Sequence, residues 1–397
     1  MQHQLKIGIV GTGFAGECHV RCLRRIYGVE VEIAGITSLR EESRTAFGQR
    51  HGIPVFDHVG ALLEAVDILD ICSPPYAHED HIVMAAAAGK GIICEKPLTG
   101  FFGPATPDPN YRGDRDDKDA MLAAVTSRLE RIAAAVTENH CFFGYAENFV
   151  YAPGLRKERE ILEKTGAQIL RMTGEESHNG SASPVYGIWQ QAGGGSLIGK
   201  GCHPLGGMLY LKRIEGLARH GKPIRPKSVS ARTHQITRLP DFRDAGLIRT
   251  DYHDIEDYGF MHITFDDGTV ADVLTSELSL GGIYDYVEVF ANNHRTRCHI
   301  SPSGLLDVYN PKAEQFKDIY LLEKISTAEG WTPASPEEDI TMGYQGELQD
   351  FLTAAAGKAH PQSDLGLALD TTAAVYAAYV SDAAHGVETS IPTNWEI

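Results

Sequence analysis

A short, largely apolar run, residues 5–10, opens the chain and ends in Gly11-Thr12-Gly13-Phe14-Ala15-Gly16. Three glycines at this spacing, between a strand and the helix that follows it, leave few folds open. The first permits a tight turn, the second lets backbone approach a pyrophosphate, and the third lets the helix pack close to the strand. The free N–H groups of the helix N-terminus then face the anion. The six residues Gly11, Thr12, Gly13, Phe14, Ala15 and Gly16 are therefore predicted to cradle a dinucleotide.

The pattern beyond the loop supports that reading. Helical stretches at 17–27, 41–51 and 78–88 alternate with strands at 29–37, 66–72 and 91–94. This is the rhythm of βαβ units, which implies a doubly wound parallel sheet covered on both faces. It breaks at residues 100–118, where Pro104, Pro107 and Pro109 precede a mixed-charge run, and that segment reads as a long loop near the mouth of the site. A helix at 120–136 and a strand at 141–145 resume it. The domain boundary is placed near Asn148, giving a Rossmann domain over 1–147 and a substrate-binding and oligomerisation domain over 148–397. In the second half, strands at 258–265, 269–276, 284–291 and 296–300 follow one another across turn residues, as in an antiparallel sheet. The fold class is thus an α/β Rossmann domain joined to an α+β domain. Residues 344–385 read as helical with a break at Pro361.

The chain has 53 acidic against 36 basic residues, a formal net charge of −17. That excess argues against a nucleic-acid partner, which needs clustered cations, and against an anionic membrane surface. The 41 glycines follow no repeating period, so they call for specific turns instead of a fibrous fold. Seven scattered cysteines make no disulfide framework, and Cys18 and Cys22 read as buried thiols, with no metal site expected. Residues 1–6 carry no basic region leading into a long apolar run, and the expectation is a reduced, cytoplasmic protein.

The second strand ends without the carboxylate that binds a ribose 2′-hydroxyl. Ser38 stands there, with Arg40 nearby, a pair that leans towards accepting a 2′-phosphate, so the cofactor is read as NAD or NADP. Further along lie Ser73-Pro74-Pro75-Tyr76-Ala77-His78, then Glu95-Lys96-Pro97 at a strand end, then Gly193-Gly194-Gly195 followed by Gly201 and His203. Together with the phosphate loop these motifs make the chain resemble the glucose–fructose oxidoreductase, inositol dehydrogenase and rhizopine-catabolism (Gfo/Idh/MocA) family. The resemblance implies a nicotinamide-dependent oxidoreductase acting on a ring carbon of a sugar or polyol. It also implies that Ser73, Pro75, His78, Glu95, Lys96 and Asn148 line the cofactor site. Lys96 would hold the substrate hydroxyl as well.

Two departures stand out. The family usually carries an Asp four residues before its catalytic His and another acid three residues after it. Here those positions are Gly199 and Gly206. The second departure is the 100–118 insertion.

Oxidation of a secondary alcohol needs a base within about 3 Å of the hydroxyl, with a pKa near working pH. His203 meets the pKa condition without tuning, and Lys96 suits polarising the hydroxyl and relaying its proton. Lys200, beside the missing acid, either faces solvent or supplies a cation that favours an anionic substrate. His178, Asn179, Tyr186 and Trp189 lie in a hydroxyl-rich stretch suited to a polyhydroxylated ligand, with Trp189 placed to stack on a sugar face. Alternatives to the dehydrogenase are an NAD-dependent glycosidase, working by transient oxidation and elimination, and a non-catalytic cofactor and sugar sensor. The expected partner is a sugar, polyol or glycoside, and an exposed face of the second sheet suits a homo-oligomer.

Overall fold

The structure is a computed structural model describing residues 4–395 except 105, 107, 109 and 326. Half of the segment read for a leader, residues 1–3, and Pro107 and Pro109 of the insertion lie outside the described residues.

Strand β1 (Leu5–Val10) leads through the glycine loop into α1 (Phe14–Leu23). The helix starts three residues earlier than the pattern predicts, because Gly13 is already its N-cap, and it stops at Arg24. Then come β2 (Val31–Thr37), α2 (Glu41–His51), a five-residue α3 (Val59–Leu63) too short to announce itself, β3 (Ile68–Ile71), α4 (His78–Ala87) and β4 (Gly91–Glu95). After the insertion, α5 (Lys118–Glu138) and β5 (Phe143–Ala146) close the unit. The five strands pair in the order β2-β1-β3-β4-β5, every pair parallel. The order reverses between β1 and β3, so the loops leaving their carboxyl ends flank the crevice where such sheets bind ligands.

The chain continues through α6 (Pro153–Thr165), β6 (Ile169–Ser177), the short α7 (Trp189–Ala192) and α8 (Ser196–Gly199), then α9 (Cys202–His220) and β7 (Pro226–His234). Strands β8 (Tyr258–Phe265), β9 (Val270–Ser276), β10 (Tyr284–Ala291) and β11 (Arg295–His299) follow, with β12 (Leu306–Asn310) and β13 (Gly330–Ala334) forming a separate ribbon. Helices α10 (Glu338–Thr341), α11 (Tyr344–Gly357) and α12 (Leu365–Ala383) precede β14 (Thr389–Ser390). The large sheet runs β11-β10-β6-β9-β8-β7-β14.

It is mostly antiparallel but mixed. Strand β6 enters between β9 and β10 and pairs parallel to β9, so these two are not neighbours. Its half-exposed Thr173 and Glu175 and exposed Arg171 hide its strand character from an apolar-run reading. Its last two residues, Glu176 and Ser177, are buried.

The insertion is tied down at both ends. Phe101 N–H donates to Tyr376 Oη at 2.6 Å, and Gly113 N–H donates to Asp254 Oδ2 at 2.8 Å. Trp189 packs on Gly113, where any Cβ would overlap its side chain. The insertion therefore packs on α7 and α12. No helix among the described residues is long and apolar enough to cross a membrane.

Candidate active site

The three motif glycines differ in what surrounds them. Gly11 has φ +118°, and a Cβ there would overlap the Cys72 carbonyl; a Cβ on Gly16 would collide with the Gly11 backbone. Gly13 faces open space, and no side chain caps the first turn of α1. Uncapped N–H donors beside open space at Gly13 fit a dinucleotide pyrophosphate. Thr12 Oγ1 donates to Ser38 Oγ at 3.4 Å, which places the end of β2 beside the loop, and Phe14 is 58% exposed at its rim. Arg40 is exposed, with its backbone capping α2. The guanidinium that reaches Ser38 belongs instead to Arg44, which donates to its carbonyl and pairs with Asp57. Its signal in the sequence was a cation one helical turn into α2.

Four residues expected at the cofactor bond to, or pack among, the protein groups around them. His78 is fully buried, its ring nitrogens 2.7 Å from the Ser73 carbonyl and 2.8 Å from that of Pro97. Burial lowers its pKa, against the pull of those two carbonyls. Pro75 is buried in the turn before it. Ser73 Oγ lies 3.1 Å from His81 Nδ1. Asn148 is buried and donates to the Met342 carbonyl, at the junction with the C-terminal helices. The polar side chains of Ser73, His78 and Asn148 thus meet protein partners.

His19, on α1, anchors Glu95. Its Nδ1 lies 2.9 Å from Asp70 Oδ2 and its Nε2 3.2 Å from Glu95 Oε1. Burial opposes charge on this ring, but Asp70 prevails and holds its pKa well above the ordinary value. Burial would raise Glu95, and His19 reverses that shift. Glu95 also accepts from the Lys96 N–H at 3.0 Å. Sequence reasoning missed this clamp, whose partners are 51 residues apart.

Lys96 Nζ donates to the Gly199 carbonyl at 2.9 Å and lies 5.7 Å from the Tyr186 ring centre. Burial works against its charge, yet the surrounding Tyr186, Cys202, Glu176 and Glu95 raise its pKa, so it is an ammonium. His203, in the first turn of α9, is 5% exposed and stacks on Phe149 at 5.2 Å. Its Nδ1 is 2.7 Å from Glu147 Oε1, and its Nε2 is 3.8 Å from Glu176 Oε2. Burial, then the Lys96 charge, pushes His203 down to about 4. Burial raises both Glu147 and Glu176. Neither glutamate was singled out as a site residue from sequence.

The hydroxyl-rich stretch divides. Tyr186 covers Gly199, its ring 3.5 Å from where a Cβ would sit, and stands under Lys96. His178 is buried, accepts from Gly180 N–H, and is driven down by burial and by Lys200. The backbone carbonyl of Asn179 accepts from the Arg249 backbone N–H. Trp189 is a correction: it is buried between Gly113 and Tyr379, so it cannot stack on a sugar. Lys200 is a second correction. It neither faces solvent nor offers a free cation, being 1% exposed and ion-paired with Glu277.

Residues 5–104 match a family model described as an oxidoreductase family with NAD-binding Rossmann fold, GFO_IDH_MocA. An inositol 2-dehydrogenase of Pseudomonas syringae pv. syringae is 34% identical over 97 residues, 24% of this chain and 29% of that protein. The chain thus matches under a third of that relative's length. The rhizopine catabolism protein MocA of Rhizobium meliloti is 27% identical over 213 residues, 52% of this chain and 57% of that one. Among solved structures, GenD2 from gentamicin A biosynthesis in complex with NAD superposes with a TM-score of 0.77 at 21% identity, covering 98% of this chain and 97% of that one. That likeness shows a shared two-domain fold. Residues 5–104 accordingly carry the NAD-binding Rossmann fold of the Gfo/Idh/MocA oxidoreductase family, as the motif resemblance implies.

Proposed function

We propose that the chain is a nicotinamide-dependent dehydrogenase that oxidises a secondary alcohol on a neutral ring polyol or sugar, with residues 1–147 holding cofactor and 148–397 holding substrate. The observation that carries the reading is the convergence of Lys96 and His203. Lys96 comes from the end of β4 and binds Gly199 O, four residues before His203. Gly11, Thr12, Gly13, Phe14, Ala15 and Gly16 would hold the pyrophosphate, and Ser38 with Arg40 and Arg44 would meet the adenosine ribose. When bound, the nicotinamide would accept hydride from the substrate carbon. The ammonium of Lys96 donates to the substrate oxygen and stabilises negative charge growing there. Nε2 of His203 takes the hydroxyl proton. Tyr186 and Glu176 bound the space in which that hydroxyl would lie.

The neutral-substrate reading rests on Lys200, whose charge Glu277 already takes. The inositol 2-dehydrogenase relative supports a cyclic polyol. No geometry among the described residues favours the glycosidase or the sensor. The half-exposed Tyr258, Phe260, Leu274, Tyr286 and Phe290, alternating with buried neighbours on β8, β9 and β10, suit a homo-oligomer interface.

The test is a panel of inositols, neutral sugars, acidic sugars and aryl glycosides, assayed with NAD and NADP separately. Reduced cofactor should accumulate with a neutral polyol, and Lys96→Ala should abolish turnover while cofactor still binds. Full activity in that variant, or aglycone release without net reduction, would sink the reading.

A further inference from the structure

The resemblance places an acid at 206, one helical turn beyond His203, and this chain has glycine there. A Cβ on Gly206 would lie 2.9 Å from Glu147 Cγ and 3.2 Å from its Cδ and Oε2. The Glu147 side chain thus fills the space such an acid would need, and the two arrangements exclude each other. We propose that Glu147 is the positioning residue for His203, delivered from the turn after β5 in place of a helix-borne acid, and that Gly206 is what admits it.

This rests on the dehydrogenase reading and deepens it. Glu147 is fully buried, and its Oε1 lies 2.7 Å from His203 Nδ1. The same oxygen accepts from Phe149 N–H at 3.3 Å, and Phe149 carries the ring stacked on His203. Carboxylate, turn and imidazole are therefore joined by direct contacts. No second acid competes. Tyr186 and the Lys96–Gly199 bond occupy the position before the histidine. Glu176 sits at the other ring nitrogen, at 3.8 Å, too far for a hydrogen bond. Burial raises the pKa of the Glu147 carboxyl and the Lys96 charge works against that rise; ionised, the carboxylate accepts from Nδ1–H and leaves the lone pair on Nε2. When the substrate hydroxyl proton moves to Nε2, the positive charge formed on the ring is balanced by Glu147. Lys96 and Lys200 oppose charge on the ring, and Glu176 and Glu95 favour it.

The test uses full-length protein carrying Glu147→Gln, Glu147→Ala and Glu147→Ala/Gly206→Asp, each checked for melting temperature and cofactor binding. Glu147→Gln should lower kcat by roughly 10²–10⁴-fold with KM little changed. It should also move the acid limb of kcat/KM to lower pH, because the protonated ring loses the carboxylate that balances its charge. The double variant should recover at least about tenfold over Glu147→Ala, since an Asp at 206 then has room and reach. An unmoved acid limb in Glu147→Gln, or no recovery in a folded double variant, overturns the proposal. Nitrogen NMR of His203 separates this from failure of the dehydrogenase reading. The wild-type ring should be the Nδ1–H tautomer above its titration and lose that preference in Glu147→Gln. A wild-type Nε2–H tautomer overturns the role of Glu147 whatever the substrate is.

Discussion

One oxygen of Glu256 holds the backbone around the glycine triplet. Oε1 accepts from Gly195 N–H at 3.2 Å, Leu197 N–H at 2.9 Å and the Tyr379 hydroxyl at 2.8 Å. Burial nevertheless pushes its pKa up to about 7, against those donors. Between the unfolded value near 4.5 and 7, the unfolded chain has lost this proton and the folded chain keeps it. Stability therefore falls as pH rises through that window, by on the order of 3 kcal/mol for 2.5 units. Glu256→Gln retains an acceptor and removes the titration. The variant should lose less melting temperature than wild type between pH 5 and pH 8; equal losses would refute the shift. His81, which burial lowers to about 4, acts with the opposite sign as pH falls below 6.5, and is common to both proteins. At the cofactor, Ser38→Asp should shift preference towards NAD, because a carboxylate there binds the 2′-hydroxyl and repels a 2′-phosphate. Unchanged kcat/KM ratios for the two cofactors would remove Ser38 from the ribose site.

Among the elements, the insertion behaves least as its composition suggests. Prolines and mixed charge read as a long loop, but its described residues are held by distant partners. Asp254 accepts from both Gly113 N–H and Trp189 N–H at 2.8 Å, while Lys118 Nζ caps the Gly113 carbonyl at 2.7 Å. Gly113→Ala would drive a methyl group into the Trp189 ring. Overpacking of this kind costs about 1–3 kcal/mol. The variant should melt lower with cofactor affinity preserved, and an unchanged melting temperature would mean the loop is not anchored there. The same contrast explains what local pattern could and could not convey. Strands β1, β3 and β4 were legible because both faces are buried and their residues run apolar, and α2 begins and ends where its pattern places it. Strand β6 was missed because its outward face is polar. Lys96 and His203 were legible as motif residues. Glu147 was not, since a carboxylate 56 positions from its histidine carries no local signal. Gly206 was the nearest clue: it showed that an expected side chain was gone, but not which element would fill the gap.

At the scale of the molecule, the C-terminal helices join the two sheets. Helix α12 is buried along most of its length and packs on α5 and β5 of one unit and on α9 and β7 of the other. Tyr376 and Tyr379 on it bind the insertion and the glycine turn. Before it, α11 lies on α1, with Gln349 bonded to both the N–H and the carbonyl of Tyr27 and Gln345 to the Cys22 carbonyl. Arg21 of α1 also pairs with Asp339 at 2.8 Å. The last third of the sequence thus braces the first helix, the one whose N-terminus forms the phosphate cradle. A chain stitched this way should unfold as one unit, although it has two sheets. Trp189 is a buried reporter of the second unit, far along the chain from the glycine loop. At NAD near 100 times its Kd, linkage adds about 2.7 kcal/mol, which for a chain of this size raises the melting temperature by about 3 °C. The shift should appear in Trp189 fluorescence and in far-ultraviolet circular dichroism together, as a single transition. A Trp189→Phe control identifies its signal against Trp331 and Trp395. Two transitions, with NAD moving only the earlier or the later, would mean that α11 and α12 do not couple cofactor binding to the substrate-side sheet.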